Sequence, residues 1–359
     1  MRRRFLLLVA LAAGLACDRG AMPGREAASA FRGVLLTPPL EKPDFTFTDV
    51  NGQPWNLRVK TAGKVALLFF GYTHCPDVCP LHAANVAAVL RTMPFEVRDK
   101  VMFLFVTTDP ARDTPERLKE WLAAFDPTFV GLTAPPEALG QLQVSLGIAP
   151  ARIEIPPGAD SANYLVGHGA QVIAFGLDDQ ARIEYPFGIR QEDWANDLPR
   201  LARGEVPTSA ARTGPPPATI GAANIPEAPP IEVRAALMAA PVSTSEASIY
   251  LVVQNNGEAD TLTGVWSPDA ASAAMHATRR DGGTMRMEHV ASLPLAPGAR
   301  LELLPGGTHV MLMGLTRKPI AGESFPLRLR FARAGEYVIA PMVVAYADLD
   351  AQLTAARQP

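Results

Sequence analysis

Two continuous apolar runs, Val65–Phe70 and Val101–Thr107, mark the first half of the chain. Neither alternates with polar residues, which predicts strands buried on both faces. Leu81–Arg91, between them, reads as a helix. After the second run Thr114 precedes Pro115, the pattern of an N-cap with proline at the first helical position. The helix this starts runs through Phe125, with Leu118, Trp121, Leu122 and Phe125 on one face. Val172–Phe175 and Arg182–Tyr185 flank Asp178-Asp179 as a hairpin, and a last helix spans about Gln191–Ala202.

The pattern then changes. Residues 204–230 carry Pro215-Pro216-Pro217 and Pro229-Pro230 among small residues and read as a linker. A flexible linker of that length spans ~30 Å, more when stiffened by proline. From Ile231 the hydrophobic segments are short: Ser248–Gln254, Arg300–Leu304 and Leu327–Phe331, with turns at Asn255-Asn256-Gly257, Pro305-Gly306-Gly307 and Ala334-Gly335. Leu327–Phe331 alternates strictly, as a strand with one wet face does. The chain is thus expected to hold an α/β thioredoxin-like domain over 33–203. An all-β sandwich, cupredoxin-like or Ig-like, follows over 231–345, and then a polar tail over 346–359.

At 359 residues, two domains are the prior. A net charge of -3 gives no electrostatic basis for binding nucleic acid. The N-terminus reads as an export signal over 1–17: Arg2, Arg3 and Arg4, then apolar Phe5 to Ala16, too short for a comfortable membrane span. Its end, Ala13-Gly14-Leu15-Ala16-Cys17, resembles a bacterial lipoprotein signal, which implies that Cys17 is lipidated. Plain cleavage is the alternative. Residues 18–32 read as a tether, and the mature protein is expected outside the cytoplasm, in the periplasm, anchored to the membrane.

The chain has three cysteines, and two of them stand in Cys75-Pro76-Asp77-Val78-Cys79-Pro80, directly after the first buried strand. On a helix, residues i and i+4 share a face with Cα atoms ~6 Å apart. The pair can therefore bridge as a disulfide, exchange thiols, or offer two sulfurs to one ion. Thiolates favour Cu(I), zinc or iron–sulfur. Two ligands rarely complete a site, so a third is sought among His74, His82 and His168. His74 is read as pointing away and His82 as a helix-surface residue. His168, in Val166-Gly167-His168-Gly169, is the candidate that returns to the mouth of the helix.

Gly71-Tyr72-Thr73-His74-Cys75-Pro76-Asp77-Val78-Cys79-Pro80, Thr108–Glu116, Phe129–Thr133 and the late His168 together resemble the Sco/SenC family over roughly 35–203. The resemblance implies a thioredoxin-like fold and one copper ion held by Cys75, Cys79 and His168. It implies Cu(I), with Cu(II) as a second state of this site. One departure is Gly167, where the family commonly has Asp.

Five of eleven methionines (Met275, Met285, Met287, Met311, Met313) and three of six histidines (His276, His289, His309) fall within 275–313. Thioether and imidazole together suit Cu(I); the plain alternative is that methionines fill the core, which is the reading for Met313. Ten residues separate His276 from Met287, twenty-one separate Met287 from His309, and Met311 lies two beyond His309. That spacing resembles the PCuAC family of periplasmic copper chaperones over about 231–345. The resemblance implies Cu(I) held by His276, Met287, His309 and Met311. Ala277 departs from the Met that often follows the first histidine. His289 falls off the spacing and is read as surface.

The leading expectation is a two-module copper chaperone. The resemblance implies that its recipient is the CuA-bearing subunit of a haem–copper oxidase. Other periplasmic copper carriers are further partners. One alternative is an enzyme, a thiol–disulfide reductase using Cys75 and Cys79 with the sandwich as a docking module. Another is copper sequestration or redox sensing with no acceptor. A purely structural role for the sandwich is least favoured by the ligand spacing.

Overall fold

The computed structural model describes residues 30–155, 164–208, 230–281 and 284–357. The export segment with Cys17, nearly all of the tether and residues 209–229 of the linker lie outside the described residues.

The first half forms β1 (Val34–Glu41), β2 (Thr46–Asp49), β3 (Pro54–Asn56), β4 (Val65–Gly71), β5 (Val101–Thr107), β6 (Val130–Thr133), β7 (Arg152–Glu154), β8 (Leu165–Gly167), β9 (Val172–Phe175) and β10 (Gln180–Tyr185). Eight of these strands make one sheet in the order β1-β10-β9-β4-β5-β6-β2-β3, and β7 pairs with β8 alone. The centre, β4-β5-β6, is parallel, and β9 joins β4 antiparallel. The apolar runs behave as expected. In β4, Val65, Leu67 and Phe69 enter one core while Ala66, Leu68 and Phe70 enter the other. Helices α1 (Val78–Thr92), α2 (Pro115–Ala123) and α4 (Gln191–Ala202) cover the first core, and α3 (Pro136–Ser145) covers the second. Thr114 caps α2 by accepting from Arg117 N at 3.2 Å. This is a thioredoxin-like fold, with the Cys75-to-Cys79 segment at the end of a buried parallel strand.

The second half forms β11 (Ile231–Ala239), β12 (Glu246–Asn255), β13 (Asp260–Trp266), β14 (Ala270–Asp281), β15 (Thr284–His289), β16 (Leu293–Leu295), β17 (Arg300–Leu303), β18 (Thr308–Leu315), β19 (Leu327–Phe331), β20 (Gly335–Ile339) and β21 (Met342–Val344). One sheet runs β15-β14-β18-β12-β11-β21 with β17 on β12, and the other runs β16-β13-β19-β20. Between them lies a core with Ile249, Leu251, Val253, Met275, Val310 and Leu312 from the first sheet and Leu262, Leu327, Leu329 and Phe331 from the second. Strand alternation therefore turns Ser248, Tyr250, His276, Thr278, Met285, Met287, His309 and Met311 to the outer face of the larger sheet.

Two sequence expectations are corrected. Met313 is half-buried, opposite Glu246 in register, and is absent from the sandwich core; it shares the outer face with Met311, while Leu312 takes the core position. The region read as a polar tail is helix α5 (Tyr346–Arg357). Tyr346, Leu349 and Leu353 recur at helical spacing and bury one face against Leu81 and Ala84 of α1 and Tyr250 of β12. Composition suggested a solvated end, but this short apolar stripe is enough to dock it.

Candidate metal centre

Cys75 sits in the loop after β4, its N–H bonded to Tyr72 O at 3.2 Å, and Cys79 lies in the first turn of α1. The Cys79 amide donates to Cys75 Sγ at 3.5 Å, so a helix N-terminus supports negative charge on that sulfur. Gly71 makes room for the pair: a Cβ there would come within 2.8 Å of Cys79 Sγ. His168 follows β8. Its Nδ1 faces Gly169 O at 2.9 Å, which puts the proton on Nδ1 and turns the Nε2 lone pair to Cys79 Sγ, 3.5 Å away. The ring is fixed edge-on by Tyr72 and Phe69, with centroids at 5.6 and 6.0 Å. The three donor atoms lie within 4.8 Å of one another, all on buried residues. Burial pushes the Cys75 thiol up, but its hydrogen bonding with Cys79 and the adjacent His168 outweigh it and bring it well below the usual thiol range. Burial and the hydrogen bond to Cys75 hold the Cys79 thiol well above that range. The pair carries one thiolate beside one thiol: two soft sulfurs and one imidazole converge, a donor set that fits Cu(I).

The other two histidines of this half behave differently from one another. His74 is half-buried with Nδ1 3.5 Å from Asp113 Oδ1, turned from the sulfurs. His82 is buried, which corrects its reading as surface: Nε2–H donates to Ala170 O at 2.9 Å, and its ring packs on Phe69 at 5.0 Å and Phe187 at 5.6 Å. Burial lowers its pKa to about 4, so it stays neutral and braces the backbone two residues past His168. Sequence reasoning also missed Asp113. Its buried carboxylate accepts from Thr73 N (3.0 Å), Thr73 Oγ1 (2.6 Å) and Thr107 Oγ1 (2.6 Å), and so anchors the loop ahead of Cys75.

In the sandwich, His276 on β14 and His309 on β18 are directly opposite in register, with rings 6.4 Å apart. His276 Nδ1 and His309 Nε2 are buried without a hydrogen-bond partner among the described residues. Two orphaned imidazole nitrogens on neighbouring strands fit a metal better than a satisfied core. Burial, then the charges of His309 and His289, lower the His276 pKa to about 4, which keeps it a neutral ligand. Met311 is buried one pleat along β18, opposite Ala274. Met287 lies opposite Thr278 and lines a cavity with Cys75 and His168. His289 is exposed, as expected, yet its ring lies 5.9 Å from that of His276.

The outer face of the larger sheet packs directly on the Cys75-to-Cys79 segment. Asp77, between the two cysteines, is fully buried there. Its Oδ1 accepts from Tyr250 Oη at 2.8 Å; its Oδ2 accepts from Gly306 N at 2.9 Å and Thr278 Oγ1 at 3.3 Å, with His309 Nδ1 at 3.7 Å. Ser248 Oγ donates to Pro76 O at 2.9 Å. His168 and Met285 exchange backbone bonds (2.8 and 3.3 Å), and Arg286 pairs with Glu154 at 3.2 Å. The two donor sets thus face each other across one interface.

A profile of the SCO1/SenC family matches residues 36–203, and an LpqE-like profile matches residues 231–344. A protein of Stutzerimonas stutzeri named for copper binding is 31% identical over 207 residues, 56% of this chain and 96% of that protein. Copper-bound ScoI of Bradyrhizobium japonicum is 34% identical, covering 45% of this chain and 99% of its own at a TM-score of 0.40. The copper-bound PCuAC domain from PmoF2 is 28% identical, covering 32% of this chain and 93% of its own at a TM-score of 0.28. The SCO2-type relatives of Saccharomyces cerevisiae and Rickettsia conorii are spanned over 29% and 60% of their length.

Proposed function

The chain belongs to the SCO1/SenC family, and we propose that it is a copper chaperone that carries Cu(I) on both domains and delivers it to the CuA centre of a haem–copper oxidase. The observation that carries this reading is the convergence of Cys75, Cys79 and His168, buried and within 4.8 Å of one another. The thiolate held at Cys75 binds a soft ion without first losing a proton. The second carrier is the set His276, Met287, His309 and Met311, whose two unpartnered imidazole nitrogens lack any other use. Copper is the cargo, exchanged by stepwise ligand replacement between two low-coordinate soft sites. The docked interface supports direct passage between the domains. Cys17 anchors the chain to the outer face of the cytoplasmic membrane by lipid; the LpqE-like lipoprotein profile supports that placement. No helix among the described residues is long and apolar enough to cross a membrane.

The unequal thiols favour a second activity on the same residues. The Cys75 thiolate attacks a disulfide of the acceptor, Cys79 resolves the mixed disulfide, and the acceptor leaves as a dithiol ready for copper while Cys75 and Cys79 become bridged. The test is an anaerobic Cu(I) titration of residues 33–359 against a competing chelator. It is run beside Cys75→Ser with Cys79→Ser, and beside His309→Ala with Met311→Ala. Two tight equivalents are expected, each lost in one variant. One equivalent that survives the cysteine change would leave the first domain a reductase only.

A further inference from the structure

We propose that Met285 of the sandwich is a further ligand to the copper of the Cys75–Cys79–His168 site, so that the docked protein holds one Cu(I) between its two domains. The inference rests on the copper-carrying reading of that site and adds a donor from outside its domain. Met285 lies two residues off the His/Met spacing and has no part in the sandwich quartet.

The backbone sets the geometry. His168 and Met285 form an antiparallel bridge in which each N–H bonds the other's carbonyl, Met285 N to His168 O at 2.8 Å and His168 N to Met285 O at 3.3 Å. Directly opposed residues of an antiparallel pair send their side chains to the same side. The Met285 side chain therefore leaves the bridge beside the imidazole. It packs against the core cluster that contains Tyr72, Cys75, Val78 and Cys79. With Cys75 and His168 it lines a cavity of about 10 Å³, room for a single ion or one water and for no hydrated complex. Besides Cys75, the sulfur donors lining that cavity among the described residues are Met285 and Met287.

The chemistry follows. A thioether is a soft, neutral donor that suits Cu(I) and adds no charge to a buried site. Met287 stands one pleat along β15, opposite Thr278, on the row that leads to His276 and His309. Met285 is thus the donor tied to His168, and Met287 the next sulfur on the path to the imidazoles. Gly167 leaves room beside the bridge for Glu154, whose Oε1 a Cβ there would meet at 2.6 Å. Binding of Met285 is ligand addition to Cu(I), with no electron transferred and no proton released.

The test uses the full chain labelled with selenomethionine, in a His276→Ala, Met311→Leu background that disables the sandwich quartet. One equivalent of Cu(I) is loaded anaerobically and copper and selenium K-edge absorption are recorded. A copper–selenium path is expected beside the two copper–sulfur paths. It should vanish in Met285→Leu and persist in Met287→Leu, and Met285→Leu should weaken Cu(I) binding at least about tenfold, the scale seen when a metal site loses a supporting group. Absence of a copper–selenium path with copper still on the cysteines would overturn the role of Met285 and leave the proposed function standing. A path lost only in Met287→Leu would overturn it in favour of Met287. No copper bound in this background would overturn both. The path in the otherwise unchanged background does not depend on how any Met285 variant folds.

Discussion

Replacing Tyr250 with Phe removes one oxygen atom from the centre of the interface and should open it. Asp77 Oδ1 accepts a single hydrogen bond, from Tyr250 Oη at 2.8 Å, while Oδ2 keeps Gly306 N and Thr278 Oγ1. Asp77 is fully buried, so no water replaces the lost donor while the domains stay docked. Hydrogen bonds to charged groups contribute about 1.5–3 kcal/mol, and leaving a buried acceptor unpaired costs a similar amount. A value of about 2 kcal/mol corresponds to a ~30-fold rise in the undocked population. Hydrogen exchange followed by NMR reads that population at the amides of His168 and Met285, which close only across the interface. Both should exchange ~30-fold faster in Tyr250→Phe, while Leu329 in the sandwich core should not change. Unchanged rates at His168 and Met285 would refute the reasoning, as would an equal acceleration at Leu329, which would mean general loosening of the sandwich.

Three further outcomes are expected. Gly167→Asp should cost about 1–3 kcal/mol through overpacking against Glu154, seen as a lower urea midpoint for the docked chain. His82, lowered by burial to about 4 from 6.5, contributes stability that is full above pH 6.5 and is lost as pH falls through 4. The total is about 3 kcal/mol, and His82→Gln, which can still donate to Ala170 O, should lose that acid dependence in urea unfolding. Glu246 is raised to about 7 by burial, against the opposing pull of His74 and Arg117. Its contribution is full below pH 4.5 and lost as pH rises through 7, so Glu246→Gln should stabilise the protein by up to about 3 kcal/mol at pH 8 and by almost nothing at pH 4.

What the sequence made legible was what local pattern encodes. Val65–Phe70 announced a doubly buried strand, Thr114-Pro115 a helix start, and Leu327–Phe331 a strand with one wet face; each formed as read. The Cys75, Cys79 and His168 trio was readable from motif order, and the structure brings the three together. The misreadings come from what local pattern does not carry. His82 is buried inside its own domain, its ring against Phe69 and Phe187 and its Nε2 on Ala170 O, and the last two come from segments far along the chain. Met313 looked like core filler because its neighbours Leu312 and Leu315 are core, yet strand alternation turns it outward. The role of Asp77 was not legible because its partners, Tyr250, Thr278 and Gly306, lie 173 to 229 positions away.

A glycine at the domain contact has a consequence for exchange of modules. Gly306 lies where a side chain would run into the Phe187 ring of the other domain, at a φ of +68° that itself favours glycine. A sandwich with any side chain at this position brings bulk to a surface shaped for none. The halves of this chain are therefore matched at this point, and a chimera built at the proline-rich linker that loses Gly306 will carry both metal-binding surfaces yet fail to bring them face to face.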